Sequence, residues 1–332
     1  MILHIDKTTD SQKIQQLADA YEAITIIRDD LIVLVTPSRF KSVDEAHKPW
    51  VKEAFVFDTD IQIASSKYLA QKRSVKIGNN LIGGLSRNVL LAIGPCSIES
   101  EEQIQKTASL LKELGLSTLR AGSFKPRTSP YTFQGMGTAG LKLLDKIRSQ
   151  YGFNIITEVR DSTHVDEIIE FADVIQIGAK SMYDHGILRK CGKTNKPVLL
   201  KRGFGTNLQE FVQASEFILS GGNENVILCE RGIRTFETKT RFTLDLCGAA
   251  YLKENTNLPV ILDPSHAMGY AYGVPDLARA CMAMDIEGLL IEVHPNPAVA
   301  MSDASQQLDH DQFRTLYQSL KLIAQAVNRN II

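Results

Sequence analysis

From residue 89 onward one pattern governs the 332-residue chain: a short apolar run followed by an amphipathic segment, repeated roughly every thirty residues. The runs are "VLLAIGPCS", "STLRAG", "NIITEV", "DVIQIGA", "PVLLKRG", "NVILCERG", "PVILDPSH" and "GLLIEVHP". Between them, segments such as "SEEQIQKTASLLKELG", "DSTHVDEIIEFA" and "NLQEFVQASEFILSGG" are apolar on one face and end in Gly or a polar turn. Strands that are continuously apolar, rather than alternating, are buried on both faces. Eight such units predict an α/β fold in which residues 89–332 form a parallel (β/α)8 TIM barrel. A doubly wound open sheet is the alternative, but no G-x-G-x-x-G follows the first strand and the count of eight favours closure.

The residues before the barrel have another rhythm. "ILHID" alternates like a strand, and "DSQKIQQLADAY" sets Ile14, Leu17 and Ala18 at helical spacing. "AITIIRDDLIVLVT" reads as two strands about Asp29-Asp30, "SVDEAHKPW" as a helix and "VKEAFVFD" as a strand. The order βαββαβ predicts a small N-terminal ferredoxin-like domain over 1–66. Residues 67–88 then form a linker and hairpin, in which "VKIGNNLIGG" supplies the turn signals.

Formal net charge is −1, so no global field recruits nucleic acid or an anionic membrane, and the cations must act locally. Five widely spaced cysteines without a C-x-x-C pair, and no secretory leader in "MILHIDKTTD", suggest a reduced cytoplasm. No apolar run approaches the roughly 18–20 residues of a membrane-spanning helix. Four of the cysteines are expected in the core, and His4, His47, His164, His185 and His310 carry no usable signal.

Chemistry in such barrels gathers at the C-terminal ends of the strands. There the sequence places Cys96, Arg120, Glu158, Lys180, Lys201 with Arg202, Glu230 with Arg231, His266, and Glu292 with His294. Arg120, Lys125, Arg127, Lys180, Lys201 and Arg231 form a cationic set suited to phosphate and carboxylate oxygens. Arg120, Lys125 and Arg127 lie in "RAGSFKPRTSP", a stretch without helical or strand period whose prolines limit the entropy lost on binding. Cys96, His266, Glu292 and the later Asp303 form a Cys/His/carboxylate quartet suited to one divalent transition metal, with zinc, manganese and iron all open. Each has a bland alternative: a small core thiol, a structural histidine, a surface ion pair, and a helix N-cap for Asp303. His294 shares the strand face of Glu292 and is a reserve ligand.

"IGPCSIES", "RAGSFKPRTSPYTFQGMG", "QIGAK", "LLKRG", "CERGIRTFE", "LDPSH" and "LIEVHPNPAVAMSDASQQL" together resemble the 3-deoxy-7-phosphoheptulonate (DAHP) synthases, across residues 93–308. The leader is similar, in pattern and length, to the ferredoxin-like regulatory domain of the smaller-chain (type I beta) branch. The resemblance implies a transferase that condenses phosphoenolpyruvate with erythrose 4-phosphate at the head of the shikimate pathway. It implies one divalent metal ion (Mn, Zn, Fe or Co) on Cys96, His266, Glu292 and Asp303. Phosphoenolpyruvate would be anchored by Arg120, Lys125, Lys180, Lys201 and Arg231, and the aldose phosphate by Arg127, Thr128 and Ser129. In the implied mechanism Lys125 delivers a proton to the new alkoxide, with water near His266 as the alternative donor, and Glu158 orients the water that attacks C2. A cytoplasmic homotetramer or homodimer is implied, with an aromatic amino acid effector left open and neither nucleic acid nor membrane as partner.

The sequence departs from the family at three places. Lys180 stands where arginine is usual, "AMGYA" after "DPSH" sets Met268 and Tyr270 beside a ligand, and the turn at Asp29-Asp30 lacks the longer loop and histidine of tyrosine-sensing members. The competing readings are 3-deoxy-8-phosphooctulonate synthase, against which the K-P-R-T-S-P loop argues, and a non-catalytic homologue that keeps the pocket. A metal-dependent barrel hydrolase is disfavoured, since six cations are excessive for a neutral amide or ester.

Overall fold

The computed structural model describes residues 1–125 and 129–332. Strands β1 (Ile2–Asp6), β2 (Ile24–Ile27), β3 (Leu31–Val35) and β4 (Glu53–Phe55) form an antiparallel sheet in the order β2-β3-β1-β4. Helix α1 (Ser11–Ala20) connects β1 to β2, and the Asp10 carboxylate caps it by accepting from the Gln12 and Lys13 backbone N–H groups. Leu17, Ala18 and Tyr21 cover Leu3, Ile5 and Leu34 on one face of the sheet. The helix expected over "SVDEAHKPW" is absent, and only Lys48–Trp50 makes a 3₁₀ turn. Side chains take over instead: the Tyr21 hydroxyl accepts the Asp44 N–H at 2.9 Å and bonds His47 Nδ1 at 3.0 Å.

Eight parallel strands follow among the described residues: β7 (Asn88–Gly94), β8 (Thr118–Arg120), β9 (Asn154–Val159), β10 (Val174–Ile177), β11 (Val198–Lys201), β12 (Val226–Glu230), β13 (Val260–Leu262) and β14 (Gly288–Glu292). Each pairs with the next, and β14 pairs with β7, which closes the barrel. Helices α2 (Glu101–Glu113), α3 (Thr138–Tyr151), α4 (Val165–Phe171), α5 (His185–Cys191), α6 (Leu208–Leu219), α7 (Leu246–Asn255), α8 (Pro264–Met268), α9 (Val274–Ala283) and α10 (His310–Ala326) come between and after the strands. The last strand, β15 (Asn330–Ile331), joins β7 from outside. Gly94 has a φ of 148°, and a Cβ there would lie 2.2 Å from the Arg120 carbonyl oxygen, so only glycine lets β7 and β8 meet this closely.

Below the mouth the barrel interior is apolar. Leu90, Ala92, Ile156, Leu199, Ile261 and Leu290 pack with Val75, Ile77 and Ile82 of a hairpin, β5 (Ser74–Ile77) and β6 (Asn80–Gly83). The hairpin plugs the end where the strands begin, so the polar mouth lies at the other end. Cys191, Cys229 and Cys281 are buried as expected, but Cys247 is exposed on α7; all five cysteines are free thiols. No described helix is long and apolar enough to cross a membrane.

The second face of the leader sheet packs on the barrel, where Ile2, Val33 and Val35 share a buried cluster with Phe57, Ile63, Phe211 and Ile218. Glu216 of α6 fixes this contact. Its carboxylate accepts the backbone N–H groups of Gln62 at 2.7 Å, Ile63 at 3.2 Å and Ala64 at 2.9 Å. Burial, opposed by those three N–H groups, pushes its carboxyl up from 4.5 to about 7. The folded protein therefore holds this proton more tightly than the unfolded chain, so the stability linked to it is full below pH 4.5 and falls as pH rises to about 7. Glu216→Ala is expected to destabilise the chain by on the order of 2–3 kcal/mol, because buried N–H groups lose their acceptor. Urea titrations should show this loss, with the wild-type advantage narrowing between pH 4.5 and 7, and proteolysis should become faster near residues 58–68.

Candidate active site

The strand ends deliver their side chains to one mouth, as the spacing predicts. Arg120, Lys201 and Glu292 are the last residues of β8, β11 and β14, and Glu158 is the penultimate residue of β9. Cys96 lies just beyond β7, Lys180 in a 3₁₀ turn after β10, Arg231 just beyond β12 and His266 in α8. Asp303 sits in the loop between β14 and α10 with a φ of 48°, a left-handed value few non-glycine residues adopt. It is not a helix N-cap; Asp309 caps α10.

Cys96, Glu292 and Asp303 each place one donor atom within 4.8 Å of the other two. His266 stands on the carboxylate side of this triad, its Nε2 3.5 Å from Glu292 Oε1 and 3.9 Å from Asp303 Oδ2. The buried Asp263 Oδ2 lies 2.8 Å from His266 Nδ1, a contact that favours a proton on Nδ1 and leaves Nε2 towards the carboxylates. Burial outweighs Asp263 and Glu292 and lowers the imidazole pKa. Burial raises the Cys96 thiol to about 12, aided by Glu292, so the thiol keeps its proton and donates to Asp303 Oδ2 at 3.0 Å. Burial opposes ionisation of Asp303, but His266, Lys125 and Arg241 hold its carboxyl well below the usual range. Two carboxylates, a thiol and an imidazole lone pair at one point are the donor chemistry of a divalent transition metal, whose charge would displace the thiol proton.

An outer ring holds these donors. Gln306 Nε2 donates to Glu292 Oε2 at 2.5 Å, Arg241 Nη1 donates to Asp303 Oδ1 at 3.2 Å, and the Cys96 N–H donates to Gln307 Oε1 at 3.0 Å. Asp263, Gln306, Gln307 and Arg241 were not among the residues picked from sequence. The first three lie inside the "LDPSH" and "SDASQQL" motifs beside their ligands, which is the signal that could have found them. Arg241 has none.

The cations surround a solvent-open cavity of about 620 Å³ lined by Lys125, Glu158, Lys180, Lys201, Arg231 and His266, among others. Lys125 Nζ lies 3.0 Å from Cys96 Sγ, and Lys201 Nζ donates to Asp263 Oδ2 at 2.6 Å. Arg120 Nη1 donates to Glu292 Oε1 at 2.6 Å and its Nε to Gln176 Oε1 at 3.2 Å. Gln176 Nε2 in turn donates to Glu158 Oε2 at 2.5 Å. Gly178 leaves room for this carboxylate: a Cβ would fall 2.2 Å from Glu158 Oε1, and the side chain would have to move. Among the described residues, Arg120 Nη2 and both Nε and Nη1 of Arg231 are buried without a hydrogen-bond partner. Burial pulls the Arg231 guanidinium pKa down. Buried guanidinium edges without acceptors are costly, and an anionic ligand would satisfy them.

Several expected groups are elsewhere. Arg202 is turned away and shared between Glu230 and Asp245, at 2.9 Å each. His294 is no reserve ligand: its Nε2 lies 3.4 Å from Glu99, whose other oxygen accepts the Met301 N–H, so this pair clamps the loop that carries Asp303. Arg127 and Thr128 lie outside the described residues. The Ser129 hydroxyl accepts the Tyr131 N–H at 3.3 Å. Of the departures, Met268 packs into the apolar cluster beneath α9, and Tyr270 stacks on Tyr272 at the surface, 5.9 Å between centroids.

A TIM barrel whose mouth joins a Cys/His/carboxylate donor set to buried, unsatisfied guanidinium groups is an aldolase-type barrel for anionic substrates. The profile of the DAHP synthetase I family matches residues 63–329. A phospho-2-dehydro-3-deoxyheptonate aldolase from Thermotoga maritima is 38% identical over 330 residues, covering 96% of this chain and 95% of that one. A crystal structure of phospho-2-dehydro-3-deoxyheptonate aldolase (DAHP synthase) from T. maritima superposes with a TM-score of 0.81 at 35% identity, over 100% of this chain and 99% of that one. A 2-dehydro-3-deoxyphosphooctonate aldolase from Methylobacillus flagellatus is 33% identical over 258 residues, covering 71% of this chain and 91% of that one. The chain belongs to the DAHP synthetase I family, and is of the type I beta kind. It is a carbon–carbon bond-forming enzyme.

Asp263→Asn removes the negative charge beside His266 Nδ1 and replaces one carboxylate oxygen by an amide donor, and a lost outer-shell partner typically costs about 10- to 100-fold in metal affinity. Calorimetric titration of Mn²⁺ into metal-stripped protein should show that loss, with the circular dichroism spectrum unchanged.

Proposed function

We propose that the site condenses phosphoenolpyruvate with erythrose 4-phosphate to 3-deoxy-D-arabino-heptulosonate 7-phosphate and inorganic phosphate, the first committed carbon–carbon bond of the shikimate pathway to aromatic amino acids. The observation that carries it is the set of buried, unpartnered guanidinium atoms on Arg120 and Arg231 beside the converged donor triad. The heptonate-type relative matches through the leader as well as the barrel, whereas the octonate-type match is shorter, which favours the four-carbon sugar.

Arg120, Lys125, Lys180, Lys201 and Arg231 hold the phosphate and carboxylate of the enol substrate, and Arg127, Thr128 and Ser129 hold the aldose phosphate. Held in this way, the nucleophilic C3 of the enol faces the aldehyde carbon, and the entropic cost of meeting is met on binding. Cys96, His266, Glu292 and Asp303 would hold a divalent ion (Mn, Zn, Fe or Co), which would supply Lewis acidity for the aldehyde oxygen when bound. Lys125 gives the proton that the new alkoxide needs. Burial pushes its ammonium down, but Cys96 and Glu158 raise it further, so it enters the reaction protonated. Bond formation leaves C2 positive; water oriented by Glu158 adds there and releases one proton, which restores Lys125. The C2–O bond to phosphate then breaks as the C2 hydroxyl proton passes to the departing phosphate, leaving the ketone.

We assign residues 1–66 as a regulatory unit, with an aromatic amino acid effector left open, 67–88 as linker and hairpin, and 89–332 as the catalytic barrel. The docking of the leader sheet on α6 supports a mechanical link between the first and last of these. A cytoplasmic homodimer or homotetramer accords with the family.

Phosphate release from phosphoenolpyruvate by metal-stripped and Mn²⁺-restored protein, with erythrose 4-phosphate and arabinose 5-phosphate in parallel, tests the reading. Metal-dependent release with the four-carbon sugar alone is expected. Release only with the pentose phosphate would make this an octulonate synthase, and none with either, despite bound metal, a non-catalytic homologue. Lys125→Met should lower kcat at least about 100-fold, the scale of general acid catalysis, with metal affinity nearly intact. An unchanged kcat removes Lys125 from the mechanism.

A further inference from the structure

Two buried cations of the mouth are oriented by a carboxylate, Arg120 by Glu292 and Lys201 by Asp263, as is Arg202 behind it by Glu230. Arg231 differs. It is 4% exposed, forms no ion pair with a described carboxylate, and has two nitrogen atoms without an acceptor. An arginine side chain has many rotamers, so something must hold this one in place.

The segment after β12 supplies it. Beyond Arg231 the chain makes an excursion whose limbs are tied by an isolated antiparallel bridge between Ile233 and Thr243. The returning limb is fixed by backbone bonds from Arg241 N–H to the Met268 carbonyl at 3.1 Å and from Phe242 N–H to the Ala267 carbonyl at 2.8 Å. This sets the Phe242 ring against Arg231, with the guanidinium carbon 4.3 Å from the ring centroid. Phe242 stacks with Phe204 from the loop after β11, 5.6 Å between centroids at 24°. Phe204 is braced by the Arg234 guanidinium at 4.5 Å, and the Arg234 N–H donates to the Phe204 carbonyl at 2.7 Å. Arg231, Phe242, Phe204 and Arg234 thus form one continuous cation–aromatic chain, and both rings line the active-site cavity.

A carboxylate that oriented Arg231 would also neutralise it and compete with an incoming anion for the same N–H groups. A ring attracts the cation through its quadrupole and leaves the N–H edge open. We propose that Phe242 is a positioning residue for Arg231: its ring holds the buried guanidinium by stacking, so that the Nε and Nη1 edge stays available to an oxygen of the enol phosphate. This rests on the reading of Arg231 as a phosphoenolpyruvate anchor.

The test compares Phe242→Leu, which keeps apolar volume but removes the π face, with Phe242→Tyr, which keeps the face, and with Arg231→Met. In full-length metal-loaded enzyme, the Kd and KM for phosphoenolpyruvate should rise about 3- to 30-fold in F242L, the range expected for a desolvated cation–π contact. F242Y should restore them. KM for erythrose 4-phosphate, Mn²⁺ affinity and melting temperature should move much less. Wild-type phosphoenolpyruvate affinity in F242L, or an equal weakening of both substrates and the metal, overturns the proposal in favour of simple packing. R231M separates the two layers. If it keeps phosphoenolpyruvate affinity, the anchor reading itself is wrong; if it loses affinity while F242L does not, only the role of Phe242 falls.

Discussion

Closure of the barrel between β14 and β7 is the constraint on which everything else depends. That pairing sets Glu292 opposite Gly94 in register, so two residues almost two hundred positions apart become neighbours across one ladder. Cys96 follows one of them by two positions, and Asp303 hangs from the loop after the other. The donor triad is therefore a product of sheet closure, with no local motif able to build it. Parallel pairing all the way round also forces every strand to end at the same mouth, while the apolar β5–β6 hairpin closes the opposite end. Ionisable groups that would be costly in the apolar interior are confined to a single layer.

Within that layer, charges are shared rather than paired off. Glu292 meets Arg120, Gln306 and His266; Asp263 meets Lys201 and His266; Gln176 links Arg120 to Glu158. Removing one member of a buried network of this kind leaves its partners uncompensated, at roughly 3–5 kcal/mol. Such a network is rigid, and rigidity is what a site needs when two anions and a cation must be held at fixed separation. Arg231 is held by a ring instead, and keeps its donors unspent.

The leader uses the physics of the barrel exterior. Its sheet has α1 on one face and the barrel on the other, and Glu216 ties the connecting segment to α6 through backbone N–H groups alone. Backbone recognition of this kind is indifferent to the identity of residues 62–64, but it demands that the acceptor be buried. The raised carboxyl pKa of Glu216 follows from that burial.

Much of this was legible in the sequence. The eight apolar runs pointed to the barrel, because continuous burial on both faces marks parallel strands covered by helices and the count of eight favours closure. The same runs determined which end would carry Arg120, Lys201, His266 and Glu292. The sequence did not disclose the loss of the second leader helix, since "SVDEAHKPW" has helical spacing and only the contacts of Tyr21 with Asp44 and His47 decide against it. Nor did strand-end position distinguish Arg202, spent on Glu230, from Arg231, set against a ring, or a donor such as Glu292 from His294, used to clamp a loop. Periodicity reports which side of an element is buried. Which buried polar group meets which partner is fixed by loops that return from ten to two hundred residues away, and only the tertiary structure decides it.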